Sequence, residues 1–162
     1  MPKKSAGLLL YRKAQKGPEL LLVHPGGPFW VKRDAGAWSI PKGEYEGDEE
    51  PLACAMREFE EELGAPPPQG KILPLGELSQ PSRKTIIAYA VEGDFDPQRL
   101  RSNTFEIEWP PKSGQLKSFP EVDKAAWFTI EESRTKIQSG QAPFIDRLLE
   151  ALGLRSSIAS QH

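Results

Sequence analysis

Two rhythms of apolar residues run through this chain, one of period two and one of period three to four. Short aliphatic runs at 6–11 and 19–24, separated by Lys16-Gly17-Pro18, predict two strands in a hairpin-like arrangement, and because the leucines are consecutive they predict burial on both faces. Residues 72–79 and 84–91 predict two more strands, with Pro81-Ser82-Arg83 turning between them. At 103–109 the alternation is strict: Phe105, Ile107 and Trp109 share one side, Thr104, Glu106 and Glu108 the other. A further strand is expected at 125–128, after Phe119-Pro120-Glu121-Val122-Asp123. The helical rhythm occurs twice. Leu52, Met56, Phe59 and Leu63 fall at i, i+4, i+7 and i+11, which predicts a helix over 51–63, opened by Pro51 and closed by Gly64 in the left-handed conformation. Phe144, Leu148 and Leu152, with Ile145 and Leu149, mark a last amphipathic helix opened by Ala142-Pro143.

The first helix bears an unusual charge pattern. Nine carboxylates (Glu44, Glu46, Asp48, Glu49, Glu50, Glu58, Glu60, Glu61 and Glu62) crowd between Gly43 and Ala65, and Arg57 is the only cation among them. On the helical wheel Glu58, Glu61 and Glu62 are neighbours, forming a patch turned well away from the apolar stripe. Like charges at this spacing repel, so the patch calls for a cation. All-oxygen ligation points to Mg²⁺, or Mn²⁺, rather than zinc, because no Cys/His set is available. By composition alone, the same residues also describe an ordinary solvated acidic face.

Length and charge narrow the picture further. One domain over 1–154 is expected, with a Ser/Ala/Gln-rich tail at 155–162 that should fray. Twenty-one Lys and Arg against 23 Asp and Glu give a net charge of −2, which argues against long nucleic acid as a partner. A single cysteine, Cys54, excludes an internal disulfide and fits a reducing compartment. Cys54 reads as a small packing residue, since neither histidine is near it to act as base. His24, at the end of a buried strand, reads as a satisfied edge residue. The N-terminus has no signal peptide pattern and no stretch is long enough to span a membrane, so a cytoplasmic protein is expected.

Gly43, five residues, Glu49, seven residues, then Arg57-Glu58-Phe59-Glu60-Glu61-Glu62-Leu63-Gly64-Ala65 resembles the Nudix box at every fixed position, with Ala65 small where a larger aliphatic is usual. The resemblance implies an α/β fold, a Nudix-type α/β/α sandwich with a central mixed β-sheet. It also implies a metal-dependent hydrolase cleaving a diphosphate linkage in a small nucleotide derivative. Glu58, Glu61 and Glu62 would hold the metal, the Gly43 carbonyl would add a ligand, Glu49 would support the site electrostatically, and Arg57 would orient it through an i, i+4 pair with Glu61. The proton-accepting base is either a box glutamate, Glu61 first, or a residue outside it, with Glu106, Glu108 and Glu121 as the candidates.

Lys42, directly before the box, is a candidate phosphate ligand, as are Arg83 and Lys84 at the turn. Trp38, two residues ahead of Pro-Lys-Gly in Nudix proteins acting on dinucleoside polyphosphates, is a candidate substrate contact. Dinucleoside polyphosphates or nucleoside triphosphates are the favoured substrates. The alternatives are an ADP-ribose or nucleotide-sugar pyrophosphatase and a non-catalytic nucleotide sensor. A sensor can dispense with the box glutamates, and all three are present. An isomerase of prenyl diphosphates on the same fold would need a reactive cysteine in an apolar pocket, for which Cys54 is badly placed.

Overall fold

The structure is a computed structural model and describes residues 3–154. Strands β1 (Lys4–Ala14) and β2 (Gly17–Pro25) form the expected antiparallel hairpin, paired from Leu10↔Leu21 to Ala14↔Gly17. β3 (Lys42–Glu44) pairs antiparallel with the start of β1, Ser5↔Glu44 to Gly7↔Lys42. After helix α1 (Pro51–Leu63) come β4 (Leu73–Ser79) and β5 (Thr85–Glu92), antiparallel to each other, and β5 runs parallel to β1. β6 (Thr104–Glu108) and β7 (Leu116–Pro120) make a separate two-stranded sheet, and β8 (Val122–Thr129) returns antiparallel to β2. Helices α2 (Ile130–Lys136) and α3 (Pro143–Ala151) follow. The main sheet is therefore mixed, in the order β4-β5-β1-β2-β8 with β3 on β1.

β1 is the centre of the molecule, and its consecutive leucines divide between two cores because successive side chains of a strand point to opposite faces. Leu9 and Tyr11 join Leu20, Leu22 and Ala88 under Phe144, Ile145 and Leu148 of α3. Leu8 and Leu10 join Leu21 and Val23 over Cys54, Ala55, Phe59 and Leu63 of α1. A helix on each face of a mixed sheet gives the expected sandwich. The leucines, the phenylalanines and Ile145 among these are fully buried, each contributing about 1.5–3 kcal/mol.

The helix over 51–63 ends where the sequence places its end, with Gly64 at φ 80° donating its N–H to the Glu60 carbonyl. Thr129 and Glu132 close a reciprocal capping box on α2. In α3, Phe144, Ile145, Leu148 and Leu149 are buried and Leu152 is half-buried. The sequence pattern did not disclose β3 and β7. β3 is three residues long, and β7, with Leu116, Lys117 and Ser118 exposed, has no buried side to leave an alternation. The tail expected to fray lies outside the described residues, and none of the described helices is long and apolar enough to cross a membrane.

Tyr45, just after β3, packs its ring against the α1 core while its hydroxyl is buried without a hydrogen-bond partner. Burial pushes its pKa up to about 12. Tyr45→Phe removes that orphaned hydroxyl and is expected to stabilise the fold by about 1 kcal/mol, read as a rise of about 2–4 °C in the thermal midpoint.

Candidate functional site

Small residues decide how α1 sits on the sheet. Cys54 and Ala55 are fully buried while Leu52 and Met56 are only half-buried, so the buried arc is rotated away from the Leu52–Met56 edge. A cysteine and an alanine let the helix approach β1 more closely than two larger side chains would. This corrects the expectation that the acidic patch faces well away from the core. The rotation carries Glu58 and Glu62 to the margin of the packed face, and the Glu58 side chain is left only 12% exposed.

Glu58 is then pressed against β3. A Cβ added to Gly43 would lie 2.0 Å from the Glu58 Cδ and 2.2–2.3 Å from its carboxylate oxygens. From the other side the Cys54 Sγ donates to the Gly43 carbonyl at 3.4 Å. The thiol is buried and its pKa is pushed up to about 11, first by burial, so Cys54 is a packing and hydrogen-bonding residue. Because the atom that Cβ meets is the mobile end of a side chain, Gly43→Ala is expected to keep its fold and displace the Glu58 carboxylate. A loss of about 10–100-fold in turnover with an unchanged melt is the expected result.

Arg57 spreads across the acidic loop. Its Nε and Nη2 form a fork on Glu49 at 2.8 and 2.9 Å, its Nη1 reaches Glu58 at 2.9 Å and Glu61 at 3.1 Å, and Nη2 also donates to the Glu44 carbonyl. The i, i+4 pair with Glu61 is present, but Glu49 is the bidentate partner. Arg57 holds the Glu49 carboxyl down to about 2.

Glu62 lies beyond that guanidinium. Burial first, then the charge of Glu58, pushes its pKa up to about 8, and Lys42 opposes the shift. Burial likewise lowers the pKa of Lys42. The two line a cavity of about 140 Å³ that also takes in Glu121, whose pKa burial and Glu61 raise. Of the three acids outside the box, Glu121 alone shares this cavity. Glu106 and Glu108 stand exposed on β6, where Glu108 accepts from the Lys112 backbone N–H at 2.7 Å.

The donor set fits a hard divalent cation: carboxylate and carbonyl oxygens, with negative charge left short of positive partners on the Glu62 side. Among the described residues no three acidic, histidine or cysteine side chains converge on one point. Glu58 and Glu61 are instead drawn to the Arg57 Nη1.

Lys42 also lines a larger cavity, about 410 Å³, together with Trp30, Gln80, Lys84 and Gln138. Lys84 and Gln80 continue into a neighbouring groove that holds Arg83 and Lys3. Trp38 is elsewhere: it is 6% exposed in the core, donates to Asp34 at 2.8 Å and meets the edges of His24 and Phe128. His24 is buried as expected, held between Asp123 at 2.8 Å and the Arg33 carbonyl at 2.6 Å. Sequence reasoning missed Trp30, Gln80 and Gln138. Phe29-Trp30, an aromatic pair in a Gly/Pro-rich loop, was a signal for the first; the glutamines left none.

Three comparisons bear on this arrangement. The family model described as NUDIX domain matches residues 1–148. The mRNA-decapping protein g5R of African swine fever virus (isolate Pig/Kenya/KEN-50/1950) is 54% identical over 73 residues, which are 41% of this chain and 30% of that protein. The chain thus matches less than a third of that curated relative's length. A Caenorhabditis elegans Ap4A hydrolase binary complex superposes with a TM-score of 0.64 at 20% identity, over 92% of this chain and 98% of the other. The NUDIX domain of Shewanella oneidensis NrtR, complexed with ADP ribose, gives 0.63 at 16% identity, over 94% and 89%. At these identities the two structures speak for the fold alone.

Proposed function

From the premise that this chain belongs to the Nudix family and is a Nudix-type pyrophosphohydrolase, we propose that it cleaves the diphosphate linkage of a nucleotide derivative, with Mg²⁺ held by Glu58, Glu61, Glu62 and the Gly43 carbonyl and Mn²⁺ as a substitute. Nudix enzymes generally use divalent metals. The observation that supports the assignment best is the position of Glu62, a carboxylate buried beside Glu58 and facing the cavity that Lys42 and Glu121 share.

Glu58, Glu61, Glu62 and the Gly43 carbonyl would hold the divalent cation, which would supply charge neutralisation for the phosphate and acidity for the attacking water. The chain's own groups do the rest. Lys42, between the small and the large cavity, holds a phosphate oxygen against the acidic end of the cleft. Glu61, whose side chain is 35% exposed against 12% for Glu58, takes the proton of the attacking water; Glu121 is the second candidate. Arg57 binds both Glu49 of the acidic loop and the Glu44 carbonyl at the end of β3, the strand from which Gly43 presents its carbonyl.

The proposed substrates are dinucleoside polyphosphates or nucleoside triphosphates, small molecules met in a cytoplasmic setting. Support comes from the two lysines, Lys42 and Lys84, that line one cavity and from the fold shared with an Ap4A hydrolase. The test is mass-spectrometric product analysis, with and without Mg²⁺, on dinucleoside polyphosphates, nucleoside triphosphates, ADP-ribose and a capped oligonucleotide. The last is included because of the local identity to a decapping protein. Metal-dependent cleavage of a polyphosphate is the expected outcome. Cleavage of ADP-ribose or the cap alone would reassign the substrate, and tight binding without cleavage would make the protein a sensor.

A further inference from the structure

The larger cavity beside Lys42 has walls of a different chemistry from the acidic end. Trp30 is half-buried, packed against the core that contains Leu9 and Phe144, and it lines this cavity. Its loop is pinned: the Trp30 N–H donates to the Gly27 carbonyl at 3.3 Å, the Arg33 N–H donates to the Trp30 carbonyl at 2.9 Å, and the Arg33 carbonyl is held by His24 at 2.6 Å. These bonds fix the backbone that carries the indole, and the Arg33 guanidinium lies over the ring, 5.5 Å from its centroid, so the side chain that lines the cavity has little entropy to lose on stacking.

Gln80, which also lines the cavity, is fixed too. Its Nε2 donates to the Gly140 carbonyl at 2.8 Å, and because a carbonyl only accepts, the amide orientation is settled. The Gln80 Oε1 then remains as an acceptor that makes no hydrogen bond among the described residues. Its position is set by Gly140, where an added Cβ would lie 2.1 Å from that oxygen. Ile86 and Pro81 supply apolar wall.

We propose that the cavity between Trp30 and Gln80 is a nucleobase subsite, in which the indole stacks on the base and the Gln80 Oε1 accepts from an N–H on the base edge. This rests on the hydrolase reading in one respect, the direction of the substrate: base at Trp30, first phosphate at Lys42, cleaved linkage at the acidic helix. A ring and an amide acceptor do not recognise a bare phosphate chain, so the subsite makes the enzyme choose nucleotides over base-free polyphosphates. Loss of one base–aromatic stack lowers affinity by roughly 10–100-fold.

The test compares the parent with Trp30→Ala, Trp30→Phe and Gln80→Met, using AMP binding by calorimetry in metal-free buffer and Mg²⁺-dependent turnover of ATP and of inorganic tripolyphosphate. The expected result is AMP affinity lowered about 10–100-fold by Trp30→Ala, largely restored by Trp30→Phe, and lowered less by Gln80→Met. The KM for ATP should rise in parallel while tripolyphosphate is handled as by the parent. If Trp30→Ala weakens AMP and tripolyphosphate equally, or leaves AMP unchanged, the subsite is overturned. Should Trp30→Ala fail to fold, Trp30→Leu takes its place as the variant without a ring, and an unchanged AMP affinity in it or in Gln80→Met overturns the subsite. AMP binding that depends on Trp30 in a protein that hydrolyses nothing would support the subsite and refute the hydrolase reading; hydrolysis of ATP indifferent to Trp30 would do the reverse.

Discussion

Glu62→Gln is expected to fold, to melt at or above the parent's temperature in metal-free buffer, and to turn over substrate roughly 10²–10⁴ times more slowly. The two effects share one cause. The carboxylate is buried next to Glu58, and the nearest opposing charge is Lys42, itself disfavoured by burial. A neutral amide of the same shape removes the uncompensated charge, so the metal-free fold gains. That charge is also what a divalent cation would be held by, so the proposed activity is lost with it. Glu61→Gln, at a side chain 35% exposed, should lose activity with a smaller thermal change. Thermal melts and steady-state kinetics on both variants check this, and near-parent turnover in both would remove the metal assignment.

The second large effect is expected at Arg57. One guanidinium engages Glu49, Glu58 and Glu61 within 3.2 Å and approaches Glu46 at 3.4 Å. Arg57→Gln leaves those carboxylates facing one another. Removing one partner of a buried pair costs about 3–5 kcal/mol. The site is a quarter exposed, so a loss on the order of 2–3 kcal/mol is expected, a fall of about 5–10 °C in the thermal midpoint. Arg57→Lys keeps the charge without the fork on Glu49 and should recover only part of the loss. Turnover should fall in both variants, because the acidic loop at Glu49 is no longer tied by the fork to the helix that carries Glu58, Glu61 and Glu62. If Arg57→Lys restores stability fully, charge alone and not the fork holds the loop.

The helix over 51–63 was legible from Pro51, Gly64 and four apolar positions, down to its last residue. Its rotation was not. A helical wheel weights Leu52 and Met56 above Cys54 and Ala55, whereas the sheet below accepted the small pair and left the larger pair at the rim. That turn brought Glu62 inward, and no local property of the sequence encodes it. Glu121 and Glu106 looked alike as acids outside the box; only the pairing of β6 with β7 and the return of β8 set Glu121 beside the helix and Glu106 in solvent. Trp38 drew attention as an aromatic before Pro-Lys-Gly, yet Trp30, in a loop without periodicity, is the indole on the cavity wall.

By itself the sequence determined what local rules decide: the hairpin of β1 and β2, the strict alternation of β6, the ends of α1, and the spacing that puts Glu58, Glu61 and Glu62 on neighbouring turns. These follow from backbone geometry, which repeats every two or 3.6 residues whatever lies around it. Tertiary structure decided which of those charges are buried, which cation each one meets, and which distant side chains share a cavity with Lys42. Burial and charge coupling depend on every atom within several ångströms, and those atoms come from segments as far apart in the chain as Lys42, Glu62 and Glu121.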